Sequence, residues 1–377
     1  ELSGNMIDIC PVGALTSKPF RYSARTWELS RRKSVSPHDS TGANLIVHVK
    51  NHKVMRVLPF ENDDVNECWI ADRDRFSYEA LDSAERLTKP MLKQGGQWVE
   101  VDWQTALESI ANGVQCITKE NGAGALGALV SPHSTVEELY LAGALMRGLG
   151  SPNLDYRLRH GDLRKPQGVR WLGRSVASLS QLQSVLVVGS NLRKDHPLFA
   201  QRIRQAARKG CTVLSIDNAV RDWAMPVAQT LVANHGAWLQ ALADVAAALA
   251  QEKGVSAPVA QGRADEPTAR AIAQALLRGE HKAVLLGNAA AHHAQASELL
   301  ALAGWIAQQA DATVGFLTEA ANTVGAQWMQ ALPGEGGMDA AQMLQGKLKG
   351  LFLLNNEPEF DSAAGAQAVA ALGKVER

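Results

Sequence analysis

Apolar and polar residues alternate along two short runs in the first part of the chain, Leu45–Val49 and Val54–Leu58. The polar residues 50–53 separate the two runs. Alternation with a period of two indicates strands that bury one face, and a short polar connection joins two such strands into a hairpin. The pattern therefore predicts a small β-rich module over residues 21–90.

Farther along, the pattern becomes one of strands alternating with helices. Residues 98–103 predict a strand that leads to Asp102 as a helix N-cap, and apolar residues then recur at helical spacing. These residues are Trp103, Ala106, Leu107, Ile110, Val114 and Ile117. A helix is therefore expected to begin directly after Asp102.

Five later runs are almost continuously apolar and are separated by helical patterns. Strands of this kind are typical of a parallel sheet that is covered by helices on both faces. We therefore predict a doubly wound α/β domain over residues 91–377, with one parallel sheet and a surface connection at 250–267. The five runs are 125–130, 184–191, 211–217, 283–289 and 350–358.

Small and polar residues follow three of these strands: Gly189-Ser190-Asn191, Gly287-Asn288 and Asn355-Asn356. The carboxyl ends of parallel strands form the ligand crevice of such a sheet, where a nucleotide or pterin phosphate would bind. The alternative is that small residues are needed for tight turns whatever is bound. None of the three turns completes a glycine-rich phosphate-binding motif, so both interpretations stay open.

Charge and hydropathy exclude two classes of partner. Lys and Arg number 38 together, as do Asp and Glu, so the formal net charge is zero. A balanced chain lacks the electrostatic footprint that nucleic acid or an anionic membrane surface would attract. No apolar run approaches the roughly 20 residues that a membrane-spanning helix needs. We therefore expect neither a nucleic-acid partner nor direct insertion into a membrane.

The four cysteines lie far apart, which argues against a disulfide framework and for a reducing compartment. Cys68 is expected to be a buried or half-buried free thiol, Cys116 a packing residue of its helix, and Cys211 a structural residue of a central strand. The adjacent pair His292-His293 cannot share a face of a helix or strand, so it is interpreted as belonging to a loop or a helix start.

Cys10 differs from the other cysteines because Pro11 follows it directly. In bacterial-type ferredoxins, the last ligand of a cysteine-rich run is a cysteine followed by proline. Residues 1–20 are too few to bury a core of their own, so they are expected to end a domain. One thiolate cannot hold four irons, so a cluster at Cys10 requires further ligands.

Five segments carry a resemblance to a known family: 1–20, 24–28, 54–59, 65–78 and 86–91. They resemble the iron–sulfur region of the large peripheral-arm subunits of respiratory NADH:quinone oxidoreductases. The resemblance implies that Cys10 is the last ligand of a [4Fe–4S] cluster whose other ligands lie upstream of Glu1. Backbone N–H groups around residues 12–14 are the expected donors to that cluster.

The same resemblance implies a role, partners and a location. The chain would pass electrons from flavin toward quinone and support neighbouring peripheral-arm subunits, among them the flavin-bearing NADH-binding subunit. It would lie on the cytoplasmic face of the bacterial inner membrane, as a peripheral part of a membrane-bound complex. NADH would be oxidised on another subunit, so the chain alone is not expected to have NADH dehydrogenase activity.

Residues 21–90 also resemble the iron–sulfur module that opens molybdopterin-dependent oxidoreductases. That module needs four cysteines, but none occurs between Trp27 and Asn44, Ala71 stands at the fourth position, and Cys68 lies three residues too early. We therefore predict that this second cluster is absent. The fold class implied is α/β, truncated at both ends: a ferredoxin-like remnant (1–20), a cluster-free β-rich module (21–90) and a molybdopterin-oxidoreductase-like domain (91–377) without molybdopterin.

Two other functions are weighed against this one. A molybdopterin-dependent oxidoreductase of the formate dehydrogenase or nitrate reductase type would need a metal-ligating Cys, selenocysteine or Ser, and would contain molybdenum. A scaffold that shares only the fold would contain no iron even in the full-length subunit. The expectation favoured here is loss of an iron–sulfur signal when Cys10 is replaced.

Overall fold

The computed structural model describes residues 1–375 of the chain. It contains two compact units, and each unit is assembled from two separate stretches of sequence. Unit 1 comprises Glu1–Tyr78 and His160–Val324, and unit 2 comprises Glu79–Arg159 and the residues from Gly325 onward. The chain therefore leaves unit 1 after Tyr78 and re-enters it at His160.

The described residues contain thirteen strands and fourteen α-helices. The strands are β1 (Ser30–Val35), β2 (Asn44–Lys50), β3 (Lys53–Pro59), β4 (Met91–Gln94), β5 (Gln97–Glu100), β6 (Leu126–Val130), β7 (Leu154–Asp155), β8 (Ser184–Val188), β9 (Thr212–Asp217), β10 (Gln229–Val232), β11 (Lys282–Leu286), β12 (Thr313–Phe316) and β13 (Gly350–Leu354). The helices are α1 (Asn5–Ile9), α2 (Asp72–Phe76), α3 (Trp103–Asn121), α4 (Val136–Gly148), α5 (Leu192–Asp195), α6 (Pro197–Arg208), α7 (Trp238–Lys253), α8 (Pro267–Leu276), α9 (Asn288–Ala291), α10 (Ala296–Ala310), α11 (Thr323–Trp328), α12 (Ala340–Met343), α13 (Pro358–Asp361) and α14 (Ala366–Leu372).

A small antiparallel sheet, β1-β2-β3, lies in the first part of unit 1. The turn between β2 and β3 places Asn51 and His52 at φ values of 50° and 63°. This left-handed conformation matches the twist of two-residue hairpin turns. Leu45, Val57 and Ile70 form the buried core of this module. The hairpin predicted from the alternating pattern is confirmed.

The second part of unit 1 contains a five-stranded parallel sheet in the order β10-β9-β8-β11-β12. Leu186 and Val188 of β8 pack in one apolar core with residues of α7, α8 and α10. Val185 and Val187 of the same strand pack in a second core with residues of α6. Successive side chains of a strand point to opposite faces, so both faces of this sheet are covered, as the continuously apolar runs predicted.

Unit 2 contains the parallel sheet β13-β6-β7 and the hairpin β4-β5. Helix α3 begins after Asp102, whose Oδ1 accepts a hydrogen bond from the Thr105 N–H at 2.7 Å. Helix α4 begins after Thr135 with a capping box, in which Thr135 and Glu138 each accept from the other's backbone N–H. The helix start predicted at Asp102 is confirmed.

The prediction of a single parallel sheet is wrong. The runs 125–130 and 350–358 supply β6 and β13, which pair with each other in unit 2, whereas the other three runs supply β8, β9 and β11 of unit 1. An apolar run identifies a buried parallel strand, but it does not specify which strand will be its hydrogen-bonded neighbour. Within residues 1–375, no helix is both long and apolar enough to cross a bilayer.

Candidate functional site

Cys10 lies directly after α1, in extended backbone with φ −75° and ψ 107°, and Pro11 continues the chain into a tight turn. The Gly13 N–H donates to the Cys10 carbonyl at 3.4 Å, and Gly13 has a φ of 64°, which favours glycine. The Cys10 side chain is half-buried. The turn therefore curls around the sulfur and leaves part of it accessible.

This turn directs its backbone donors at the Cys10 sulfur. The N–H of Leu15 contributes most, followed by those of Val12, Ala14 and Gly13, and together they lower the pKa of the Cys10 thiol. Hydrogen bonds to the charged form of an acid favour that form. The turn therefore stabilises a thiolate, which is the form of cysteine that binds metals.

A buried asparagine holds α1, and with it Cys10, against the β-rich module. Asn5 is 5% exposed, and its Nδ2 donates to the carbonyl oxygens of Leu2 at 2.9 Å and Ile70 at 2.8 Å. Its Oδ1 accepts from the Ile70 N–H at 3.1 Å. One side chain therefore satisfies both backbone polar groups of Ile70.

Charged contacts reinforce this attachment. The Gly4 N–H donates to Asp72 Oδ1 at 2.7 Å, and the buried Arg75 guanidinium pairs with Asp8 on α1. A side chain at Gly4 would collide with Arg75 and Asp72, because a Cβ built there lies 2.8 Å from each of them. The segment that contains α1 is therefore held in a fixed position on α2.

Around Cys10, apolar side chains are exposed. Met6 is 50% exposed, Ile9 52%, Val12 82% and Leu15 46%. Single exposed apolar residues are common on proteins, whereas groups of them are a feature of interaction surfaces. These four residues, called the Cys10 rim below, lie on both sides of Cys10 in sequence.

The other cysteines divide into one confirmed and two incorrect predictions. Cys211 is buried in the core beside β9, and its burial raises the pKa of the thiol to about 11, as expected of a structural residue. Cys68 is exposed, not buried or half-buried, because it lies in an irregular connection after the bridge between Asn62 and Glu67. Cys116 is exposed too, and its Sγ donates to a glutamate one helical turn later, because the buried face of α3 passes through Ile117 instead.

Among residues 1–375, no group of three or more metal-ligating side chains includes Cys10. The one such group in this part of the chain contains His160, His292 and Glu319, whose ligand atoms lie within 4.8 Å of one another. A [4Fe–4S] cluster takes four ligands. Cys10 therefore fits a cluster as a single ligand, and the described residues do not supply its partners.

The histidine pair behaves as the sequence argument predicted, since its two members diverge. His293 is buried, and its Nε2 contacts the His235 carbonyl at 2.9 Å. His292 is the C-cap residue directly after α9, and its Nε2 lies 2.5 Å from Glu319 Oε2. Sequence reasoning missed His160 and Glu319, because neither belongs to a motif and both are far from His292 in the chain.

The turns at the strand ends belong to two different parallel sheets. Those after β8 and β11 lie in unit 1, whereas Asn355 and Asn356 follow β13 in unit 2. At Gly189, which has a φ of 63°, a Cβ would lie 2.6 Å from the Trp238 ring, and at Gly287 it would lie 2.3 Å from Ser190 Cβ. The space beside these glycines is therefore filled by protein, which favours tight packing over a pterin phosphate cradle.

A comparison with protein families places most of the chain. Residues 86–376 match the model of the molybdopterin oxidoreductases. The chain belongs to the molybdopterin oxidoreductase family. Residues 29–79 of this family member match a further model, described as the NADH-ubiquinone oxidoreductase NDSU1/NuoG-like 4Fe-4S domain. That second range contains one cysteine, the exposed Cys68, so these residues do not fit a four-cysteine cluster.

Curated relatives of this molybdopterin oxidoreductase family member carry respiratory names. The chain is 38% identical over 213 residues to the G subunit of the NADH-quinone oxidoreductase of Rickettsia felis, covering 56% of the chain and 31% of the relative. It is 35% identical over 229 residues to the NADH-ubiquinone oxidoreductase 75 kDa subunit of Reclinomonas americana, covering 56% of the chain and 32% of the relative. The chain thus spans about a third of the length of these relatives.

Among solved structures, acetylene hydratase from Pelobacter acetylenicus resembles the chain with a TM-score of 0.52. The match covers 80% of this chain and 42% of that chain at 15% sequence identity. At this level of identity, the likeness concerns the fold alone. It agrees with the α/β fold class predicted from the sequence and with the family model.

Proposed function

We propose that this chain is an iron–sulfur electron-transfer and scaffold part of a respiratory NADH:quinone oxidoreductase. In this proposal Cys10 is the last ligand of a [4Fe–4S] cluster that passes electrons from flavin toward quinone. Residues 1–20 end the domain that carries the cluster, residues 21–90 form a module without a cluster, and residues 91–377 are a molybdopterin-oxidoreductase-like scaffold without molybdopterin.

The observation that carries the proposal is the turn at Cys10. Its N–H groups stabilise the charged sulfur before any metal binds, and hydrogen bonds to sulfur are one means by which proteins set the potential of an iron–sulfur cluster. An electron relay needs no acid, base or nucleophile of its own. The names of the relatives add support, since they are subunits of NADH:quinone oxidoreductases.

The remaining ligands must come from protein outside these 377 residues, because a cubane cluster takes four and Cys10 supplies one. We propose that the Cys10 rim is the surface on which that protein packs. Its four exposed apolar side chains flank the sulfur in sequence, so burying them would also exclude water from the cluster. A drier environment is one of the factors that tune the potential of an iron–sulfur centre.

Partners and location follow from the same proposal. The chain associates with the other peripheral-arm subunits, including the flavin-bearing subunit that oxidises NADH, on the cytoplasmic face of the bacterial inner membrane. The isolated chain has no NADH dehydrogenase activity and binds little iron, since it lacks the flavin and three of the four ligands.

The experiment compares Cys10→Ala with Cys68→Ala in the assembled respiratory complex. EPR spectra of the reduced complex would count the clusters, and NADH:quinone electron transfer would report the relay. Cys10→Ala should remove one [4Fe–4S] signal and reduce quinone-linked activity, whereas Cys68→Ala should leave both unchanged because Cys68 is exposed and outside the ligand turn.

Two outcomes would contradict the proposal. If the Cys10→Ala complex assembles and retains every cluster signal, Cys10 is not a ligand. If elemental analysis of the purified wild-type complex finds molybdenum bound to this subunit, the molybdopterin-dependent alternative replaces the relay.

A further inference from the structure

We propose that His160, His292 and Glu319 form a binding site for a divalent cation that prefers imidazole ligands, with Zn²⁺ as the type ion. One ligand atom of each residue lies within 4.8 Å of the other two. Two histidines and one glutamate are a set found in three-ligand zinc sites, which keep a fourth position for water. All three side chains belong to unit 1.

The arrangement is more than an ion pair between two residues. His292 Nε2 lies 2.5 Å from Glu319 Oε2, and the His160 ring meets the His292 ring edge-on with centroids 5.1 Å apart. Ligand atoms about 2.0–2.1 Å from zinc are roughly 3.4 Å from each other in a tetrahedron. A bound ion would therefore separate His292 from Glu319 by about 1 Å and draw His160 inward.

The backbone brings the loop that carries His160 against the segment that carries His292. The Gly161 N–H donates to the His292 carbonyl at 2.9 Å. This approach depends on glycine, since a Cβ at Gly161 would lie 3.0 Å from backbone atoms of Ala294. The two histidines are thus placed next to each other by a contact in which their side chains take no part.

A second contact ties the same loop to α10. Asp162 Oδ2 accepts from the Ser297 N–H at 2.9 Å, and the Asp162 carboxylate also pairs with Arg164 through bonds of 2.9 and 2.7 Å. Asp162 is 8% exposed. Because its oxygens are occupied in this way, Asp162 acts as an anchor of the loop and is not part of the ligand set.

Glu319 follows β12, and its segment is fixed by a buried histidine. His196 is fully buried, and its Nε2 donates to the Thr318 carbonyl at 2.8 Å. Side-chain exposures of 21% for His292 and 22% for Glu319 leave a path by which an ion can enter. The bond to Thr318 fixes the backbone one residue before Glu319.

The donor atoms select the class of ion. Mg²⁺ and Ca²⁺ prefer sites made of oxygen ligands, whereas imidazole suits zinc and related transition metals. The three residues offer two imidazole nitrogens and one carboxylate oxygen. The site therefore favours Zn²⁺ over the alkaline-earth cations.

The test titrates ZnCl₂ into the metal-free 377-residue chain by calorimetry after its accessible thiols have been alkylated, so that cysteines cannot bind zinc. Wild-type protein should bind one ion, and MgCl₂ should give no binding. His292→Gln and Glu319→Gln should each weaken binding by at least about 100-fold, because even the loss of an outer partner costs 10- to 100-fold. The matched control is His235→Gln. The His235 ring forms another close histidine pair, with its centroid 4.4 Å from that of the His293 ring, but neither residue belongs to the proposed ligand set.

A measurement on the wild-type protein keeps the test independent of variant folding. Zinc-edge X-ray absorption should show imidazole nitrogen at about 2.0–2.1 Å in the first shell. The proposal is overturned if wild-type protein binds no stoichiometric zinc, if the first shell contains no imidazole, or if folded His292→Gln binds as tightly as the control. Each of these outcomes is separate from the assignment of Cys10.

Discussion

The attachment of α1 to the β-rich module should depend on Asn5, and Asn5→Ala tests this. The change removes the bonds to the Ile70 N–H, the Ile70 carbonyl and the Leu2 carbonyl. Each such bond contributes about 1 kcal/mol, and a buried group left without its partner costs about 1–3 kcal/mol. Summed over both groups of Ile70, the local opening free energy of this segment should fall by about 3 kcal/mol.

Hydrogen exchange measures this loss at amides that Asn5 does not bind directly. The Gly4 N–H donates to Asp72, and the Asp72 N–H donates to the Glu1 carbonyl at 2.8 Å. Both are protected by the attachment of α1, so both should exchange about 100-fold faster in Asn5→Ala, since 1.4 kcal/mol corresponds to a factor of ten. Amides of the five-stranded sheet should be unchanged.

Met6→Ala is the matched control, because Met6 lies next to Asn5 on α1 and is 50% exposed. Surface substitutions of this kind change stability by less than about 0.5 kcal/mol, which is less than about threefold in exchange rate. The reasoning is refuted if Asn5→Ala leaves the Gly4 and Asp72 amides as protected as in wild type, or if Met6→Ala exposes them equally.

Two further predictions concern buried carboxyl groups. Burial raises the pKa of Asp74 from 3.8 to about 6, so between these pH values the folded state holds a proton that the unfolded state releases. The free energy of unfolding should therefore fall by roughly 2–3 kcal/mol as the pH rises from 4 to above 6. Urea unfolding of Asp74→Asn should lack this pH dependence, and a pH dependence equal to that of the wild type would contradict the prediction. Asp155 is fully buried and accepts from Arg157 through two bonds of 2.9 Å and from the Ala340 N–H at 3.1 Å. Removing one partner of such a pair costs about 3–5 kcal/mol, so Asp155→Ala should clearly lower the urea midpoint of unfolding, whereas Glu108→Ala, at an exposed position, should not. Equal midpoints for the two variants would contradict a stabilising role of the Asp155–Arg157 pair.

Local chemistry was readable from the sequence, because it depends on neighbours in the chain. The N–H groups expected around residues 12–14 do lie at the Cys10 sulfur and lower the pKa of its thiol, although Leu15, one residue beyond, contributes most. The role of Cys10 as a cluster ligand stays a prediction. The start of α3 at Asp102 and the turn between β2 and β3 were predictable for the same reason.

Features that depend on distant contacts were not readable. The exposure of Cys68 and Cys116 depends on which face of each segment meets the core. In α3, a shift of one position changes the outcome, since Ile117 is buried and the neighbouring Cys116 is exposed. The grouping of His160 with Glu319 depends on strand order in the sheet and on a backbone contact at Gly161. No local pattern encodes either.

The interrupted course of unit 1 has a consequence for biosynthesis. Glu1–Tyr78 leave the ribosome before residues 160–324 exist, yet Arg202 binds Glu67, and Arg73 donates to the Asp195 carbonyl across that gap. At about 5–20 residues per second, the time between the synthesis of Tyr78 and the completion of residues 160–324 is on the order of 10 to 50 s. During that interval Glu1–Tyr78 lack these contacts with residues 160–324, and stalled chains of graded length would show at which residue the segment becomes protease-resistant.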